Sequence, residues 1–118
     1  MAAYRQCQAV VWWTTPVEIE SAIARLLRMN QLVPADWVKA RQLASALAHD
    51  WSFIQPLDAV RIKAMRLVES YDLRAADALQ LAAALEWCQD APQGRMLYSA
   101  DERLLRAAVL NGFDASRV

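Results

Sequence analysis

The order of apolar and polar residues predicts two strands and five helices. Gln8–Thr14 is apolar on both faces and rich in β-branched and aromatic residues, which is typical of a buried strand, and Arg95–Ser99 predicts a second, short strand. The segment between Asp50 and Gln55 is a further candidate for extended structure. Helical periodicity covers most of the remainder and predicts helices over Thr15–Asn30, Pro34–His49, Pro56–Tyr71, Arg74–Gln89 and Asp101–Asn111, the last ended by Gly112. Strands interleaved with helices favour an α/β sandwich with a small parallel sheet.

The composition fits a single domain with surplus apolar surface. The 118 residues are 57% hydrophobic, above the roughly 45–50% of ordinary globular chains. This surplus indicates either a large core or an apolar face that awaits a partner. The longest apolar runs fall short of the roughly 20 residues that a membrane span needs, and no secretory signal opens the chain. We therefore expect a soluble, cytoplasmic protein.

The balance of charges and the small number of cysteine and histidine residues limit the kinds of functional site that the chain can form. The 13 basic and 13 acidic residues cancel, so the net charge gives no general attraction to nucleic acid. Cys7 and Cys88 lack the CxxC spacing and are expected to be reduced packing residues. His49, the single histidine, is expected to end a helix, where a cation suits the dipole. A histidine-based triad or a zinc site is therefore disfavoured.

One carboxylate stands out in the most apolar helical segment of the chain. Leu73–Leu85 consists almost entirely of alanine and leucine, and Asp77 shares its helical face with Leu81 and Ala84. Burying an ionised carboxylate without a partner is costly, so a donor, a metal ion or water in a cleft should accompany it. The plain alternative is hydrogen bonding of Asp77 to neighbouring backbone amides.

Two further acids, Glu18 and Asp101, follow the predicted strands, at the strand ends where α/β sheets bind ligands. Each has a structural alternative as part of a helix cap, because Thr15 to Glu18 and Ser99 to Glu102 both match the capping-box pattern. For Asp101, the helix dipole alone would also favour an acid. If Glu18, Asp77 and Asp101 converge, their oxygens suit Mg²⁺ or Mn²⁺, and the cation would relieve their mutual repulsion.

Three segments in series resemble successive motifs of PIN domains, most closely those of the bacterial VapC-like toxins. They are Val11–Arg25 (VWWTTPVEIESAIAR), Leu73–Leu85 (LRAADALQLAAAL) and Ser99–Ala108 (SADERLLRAA). The resemblance runs from about Val10 to Phe113. It implies a three-layer α/β/α sandwich and a Mg²⁺- or Mn²⁺-dependent endoribonuclease that hydrolyses RNA.

The resemblance also assigns residue roles and partners. Glu18, Asp77 and Asp101 would be catalytic and metal-binding, and Thr15 and Ser99 would support them. Arg25 and Arg74 are weak candidates for contacts with RNA phosphates. Toxins of this type usually form homodimers and are silenced by a cognate antitoxin, which would explain the apolar surplus.

The sequence departs from the family at its N-terminus. PIN domains begin with a central strand that carries the first catalytic aspartate, whereas this chain goes almost directly into the second strand. We therefore expect an N-terminally shortened PIN-like domain over residues 1–118 with weak or no activity. The alternative function is a catalytically inactive module that binds RNA or protein. Sheet edges left open would let Gln8–Thr14 pair with Arg95–Ser99 or with a second, strand-exchanged copy of the chain.

Overall fold

The computed structural model describes residues 9–118, so the predictions for Cys7 and Gln8 lie outside the described residues. The chain divides into two compact units, with the boundary after Phe53. The elements follow one another in the order β1 (Val10–Trp12), α1 (Thr15–Arg28), α2 (Pro34–Ala48), β2 (Ser52–Ile54), α3 (Asp58–Ser70), α4 (Ala75–Trp87), β3 (Met96–Ser99), α5 (Glu102–Leu110) and β4 (Asp114–Arg117). The predicted α/β class is confirmed.

The predicted helices are confirmed, each with ends within two residues of the expected bounds. The extended segment between Asp50 and Gln55 is also confirmed, as β2. One strand was not predicted: β4 has the sequence DASR, which carries no apolar pattern of its own. It forms because the chain turns back after α5 and hydrogen-bonds to β3.

The strands of the described chain form two sheets of two strands each, where the sequence predicts one sheet. β1 pairs with β2, so the expected pairing of Gln8–Thr14 with Arg95–Ser99 is not observed. β3 and β4 are parallel, with Met96 opposite Asp114 and Ser99 opposite Arg117. A parallel pair needs a crossover, and α5 supplies it. The strand pairing differs from the single sheet that the sequence predicts, because sequence patterning identifies strands but not their partners.

In the first unit, α1 packs on α2 with little burial. Glu20 of α1 forms an ion pair with Arg41 of α2 at 2.8 Å, and the Arg41 guanidinium lies 5.2 Å from the centre of the Trp37 ring. No residue of either helix is buried. Trp12 of β1 is buried at 6% exposure, and its indole Nε1–H has no hydrogen-bond acceptor among residues 9–118.

The second unit has a continuous apolar core built largely from small side chains. α3 packs along α4, and α5 packs against α4 and covers the β3–β4 pair. Alanine and leucine give α4 its helical propensity and let neighbouring helices approach closely. The buried core residues are Val60, Ala64, Leu67, Ala78, Leu81, Ala82, Ala83, Leu85, Leu104, Ala107, Ala108 and Phe113, and Pro92 is buried as well. This core fixes the starts of α4 and α5 in one packed unit.

Two further features of the second unit concern its helix ends. Lys63 of α3 reaches Asp90, just beyond α4, at 2.8 Å and Glu86 at 3.5 Å. Gly112 follows Asn111, the C-cap residue of α5, and has a φ of +103°, a left-handed value that glycine adopts without strain.

Of the helices in residues 9–118, none is both long and apolar enough to cross a lipid bilayer.

Candidate functional site

Asp101 lies between the end of β3 and the start of α5, and its side chain caps the helix. The Leu104 backbone N–H donates to Asp101 Oδ1 at 2.9 Å, which satisfies one of the open donors of the first turn. The Asp101 backbone N–H donates to Ser99 Oγ at 3.0 Å. The predicted capping box with Ser99 as N-cap is therefore wrong by two residues, because Asp101 takes that position. Ser99 instead holds the backbone of Asp101 in place.

Asp77 is the third residue of α4 and is partly buried among apolar neighbours. Its pKa is raised above the ordinary aspartate value, first because burial penalises the charged form and second because the negative charge of Asp101 lies nearby. Within residues 9–118, the Asp77 carboxylate makes no hydrogen bond or ion pair, so local bonding to backbone amides is not observed. The first turn of a helix favours a negative charge, which offsets part of the free-energy cost of burying the Asp77 carboxylate.

Two arginines lie close enough to Asp77 to oppose this rise in its pKa. Arg74 is the N-cap residue of α4, and Arg103 is in the first turn of α5. Arg103 Nε also lies 3.6 Å from Asp72 Oδ2. Arg74 was a candidate from the sequence, but Arg103 was missed. The only sequence signal is weak: a positive charge in the first helical turn is mildly unfavourable with respect to the helix dipole.

The remaining predicted site residues belong to the first unit. Glu18 lies in the first turn of α1 and is half-buried, and Arg25 is exposed in the last turn. Thr15 is the first residue of α1, and the N-cap is Thr14, which forms no side-chain cap. The predicted capping box from Thr15 to Glu18 is therefore wrong. The Thr14 carbonyl accepts instead from the backbone N–H groups of Val17 and Glu18, at 3.0 and 3.1 Å.

The second unit thus brings two acids of the predicted site, Asp77 and Asp101, within electrostatic range of each other, and Arg74 and Arg103 lie within range of Asp77. Among residues 9–118, no group of three or more histidine, cysteine or acidic side chains is arranged to hold a metal ion. Two carboxylates nevertheless fit Mg²⁺, which is commonly held by one or two carboxylates, water and substrate phosphates. Only one Asp101 oxygen accepts the cap hydrogen bond, and the Asp77 carboxylate accepts no hydrogen bond from the described residues.

Cys88 agrees with its expected packing role: its thiol is free, half-buried and 3.5 Å from the Leu85 carbonyl oxygen. His49 is the residue after α2, as predicted.

No protein-family model, curated protein or solved structure that was compared with the chain matches the chain.

Proposed function

We propose that the chain is a PIN-type scaffold of the VapC-like class: a Mg²⁺- or Mn²⁺-dependent endoribonuclease with a three-layer α/β/α arrangement. The observation that carries the proposal is the pair of carboxylates, Asp77 and Asp101, at the starts of two helices of one packed unit. Asp77 lies in a partly buried position that raises its pKa, so its charged form is held there at a cost in free energy. Such a cost is typical of a functional site.

The protein groups have distinct tasks in the proposed reaction. Asp101 is fixed by its bonds to Leu104 and Ser99, so one carboxylate oxygen keeps a defined direction. Asp77 supplies a second, partly desolvated carboxylate, and Arg74 and Arg103 supply positive charge for an RNA phosphate. A divalent ion bound there would activate water and stabilise the charge that develops on the phosphodiester. Glu18 is the third proposed ligand, on the resemblance alone.

The proposed partners are an RNA substrate and a cognate antitoxin protein. Exposed apolar side chains are numerous in the described residues, and examples on the helices are Val17, Leu43, Met65 and Leu110. Such surface is compatible with a protein partner.

The test is cleavage of labelled single-stranded RNA with Mn²⁺ by the parent chain, the Asp77→Asn variant and a matched control, Asp58→Asn. Asp58 also lies in the first turn of a helix of the second unit, but its side chain is 85% exposed and pairs with Arg61. We expect the parent to cleave weakly, the control to keep that cleavage and Asp77→Asn to lose it. Mn²⁺ should also raise the melting temperature of the parent and of the control but not that of Asp77→Asn, because a ligand that binds only the folded state stabilises it.

The second candidate, an inactive RNA- or protein-binding module, is favoured by one observation: capping of α5 explains Asp101 without catalysis. RNA binding without cleavage by the parent chain would select this candidate. Cleavage that is unchanged in Asp77→Asn would refute the proposed site.

A further inference from the structure

The turn that joins β3 to α5 carries Asp101, and two hydrogen bonds within the turn fix this residue. The Asp101 N–H donates to Ser99 Oγ at 3.0 Å, and the Leu104 N–H donates to Asp101 Oδ1 at 2.9 Å. Leu104 is 1% exposed, so the start of α5 is anchored in the core of the second unit. The direction of the other Asp101 oxygen therefore depends on Leu104 on one side and on Ser99 on the other.

Two consecutive residues at the end of β4 hold this turn from the outside. Ser99 lies opposite Arg117 in the parallel pair of β3 and β4, and the Val118 N–H donates to the Ser99 carbonyl at 3.2 Å. The Arg117 side chain forms an ion pair with Glu102, the first residue of α5. The two contacts thus join β4 to the residue that ends β3 and to the residue that begins α5, on either side of Asp101.

The two contacts from β4 differ in strength. The ion pair of Arg117 with Glu102 is exposed, and exposed ion pairs contribute little to stability. The bond from Val118 is a backbone bond to a half-buried residue, and without it the Ser99 carbonyl would lose this donor. The Val118 N–H is therefore the stronger of the two restraints on the turn.

We propose that Val118 is a positioning residue for Asp101: its N–H holds Ser99, and Ser99 holds Asp101 with its free carboxylate oxygen in a fixed direction. The inference rests on the proposed function, because it takes Asp101 as a ligand of the divalent ion. Mg²⁺ demands near-ideal octahedral geometry, so a displaced ligand binds it less well. Groups that orient a metal ligand through hydrogen bonds typically change metal affinity or activity 10- to 100-fold when they are lost.

The test is a proline substitution at each end of the β3–β4 pair. Val118→Pro removes the N–H that donates to the Ser99 carbonyl, and the extended backbone of Arg117 is compatible with a following proline. Asp114→Pro is the matched control, because it removes the N–H that donates to the Arg95 carbonyl at 3.0 Å, at the other end of the pair. Asp114 lies about 13 Å from Val118 along the strand, so physiological salt screens the loss of its charge from that end.

Val118→Ala is a second control, because it shortens an exposed side chain but keeps the N–H. Circular dichroism verifies that all three variants are folded. The two proline variants should lose similar stability, since each loses one backbone hydrogen bond of the same sheet.

The first readout is the NMR order parameter of the Asp101 amide in EDTA, which depends neither on metal binding nor on cleavage. In Val118→Pro we expect this order parameter to fall from about 0.85, typical of rigid backbone, towards the flexible value of about 0.6. It should keep the parent value in Asp114→Pro and in Val118→Ala, because both variants keep the Val118 N–H.

The second readout is the affinity for Mn²⁺, measured by electron paramagnetic resonance of the free ion. We expect the dissociation constant of Val118→Pro to be at least about tenfold higher than that of the parent. The dissociation constants of Asp114→Pro and Val118→Ala should equal that of the parent. A general loss of sheet stability would instead weaken Mn²⁺ binding equally in both proline variants.

Equal order parameters at Asp101 in the two proline variants would overturn the proposal. An Mn²⁺ affinity of Val118→Pro equal to that of the parent would overturn it as well. A parent chain that binds no Mn²⁺ would refute the proposed metal site, and the order parameters would still decide whether Val118 holds Asp101 in place. Failure of the inference and failure of the proposed function are therefore distinguishable.

Discussion

Asp101 caps α5 and is also a proposed metal ligand, and two substitutions separate these roles. Asp101→Ala removes the oxygen that accepts the Leu104 N–H at 2.9 Å. Loss of an N-cap side chain costs about 1 kcal/mol, within a range of roughly 0.5–2 kcal/mol. Asp101→Asn keeps an acceptor at the same position, and asparagine is about as good an N-cap as aspartate. It also removes the negative charge beside Asp77, so its stability should equal or slightly exceed that of the parent.

The expected difference in melting temperature follows from the length of the chain. Unfolding entropy is about 2.1 cal/mol/K per residue near the transition, which for 118 residues gives about 0.25 kcal/mol/K. A loss of about 1 kcal/mol therefore lowers the melting temperature of Asp101→Ala by about 4 °C relative to Asp101→Asn. Circular dichroism melts in EDTA measure this difference without any contribution from metal binding.

Under the proposed function, both variants lose Mn²⁺-dependent RNA cleavage although only the alanine variant loses stability. Equal melting temperatures for the two variants would refute the capping role. Full cleavage by Asp101→Asn would refute the role as a charged metal ligand.

Three further substitutions probe the second unit. Asp77→Asn should melt at a higher temperature than the parent at pH 7 in EDTA, because the raised pKa of Asp77 means that its ionised form opposes folding. The difference in melting temperature should shrink as the pH falls through the folded-state pKa of Asp77 and vanish below the unfolded-state pKa of about 3.9. A difference that does not change with pH would contradict the raised pKa. Leu81→Ala should lower the free energy of unfolding by about 2–5 kcal/mol in a denaturant titration, because Leu81 is fully buried; a loss below about 1 kcal/mol would show that the site collapses around the smaller side chain. Gly112→Ala should lower the free energy of unfolding by about 1–3 kcal/mol in the same titration. The φ of +103° is strained for alanine, and the new Cβ would lie 3.1 Å from Pro92 Cγ. Gly94→Ala is the matched control, because Gly94 also has a positive φ but a Cβ there would have no close contact.

Local sequence signals predicted the helices well. Proline or an acid at the start, apolar spacing along the body and Gly112 at the end act within one or two turns, so no tertiary information is needed. β4 was missed because Asp114–Arg117 has no apolar pattern and owes its conformation to β3. The division into two sheets could not be predicted either, since pairing depends on contacts between residues far apart in the sequence.

The candidate site was predicted in part. The unusual position of Asp77 in an apolar helix was visible from composition, and its raised pKa agrees with a partly buried charge. The cap at α5 was assigned to Ser99 instead of Asp101, because both residue types are good N-caps and the helix start decides between them. Arg103 was missed because its contact with Asp72 joins two separate segments of the chain.

The unequal burial of the helices has a consequence for amide hydrogen exchange. α4 has five buried residues, whereas α1 and α2 have none. Helices with few buried contacts open locally at low free energy, while those in the core exchange only when their unit unfolds. Deuterium uptake should therefore be fast throughout Thr15–Arg28 and Pro34–Ala48 and slow in the middle of Ala75–Trp87. The chain would then lose the structure of its first helices well before that of its core.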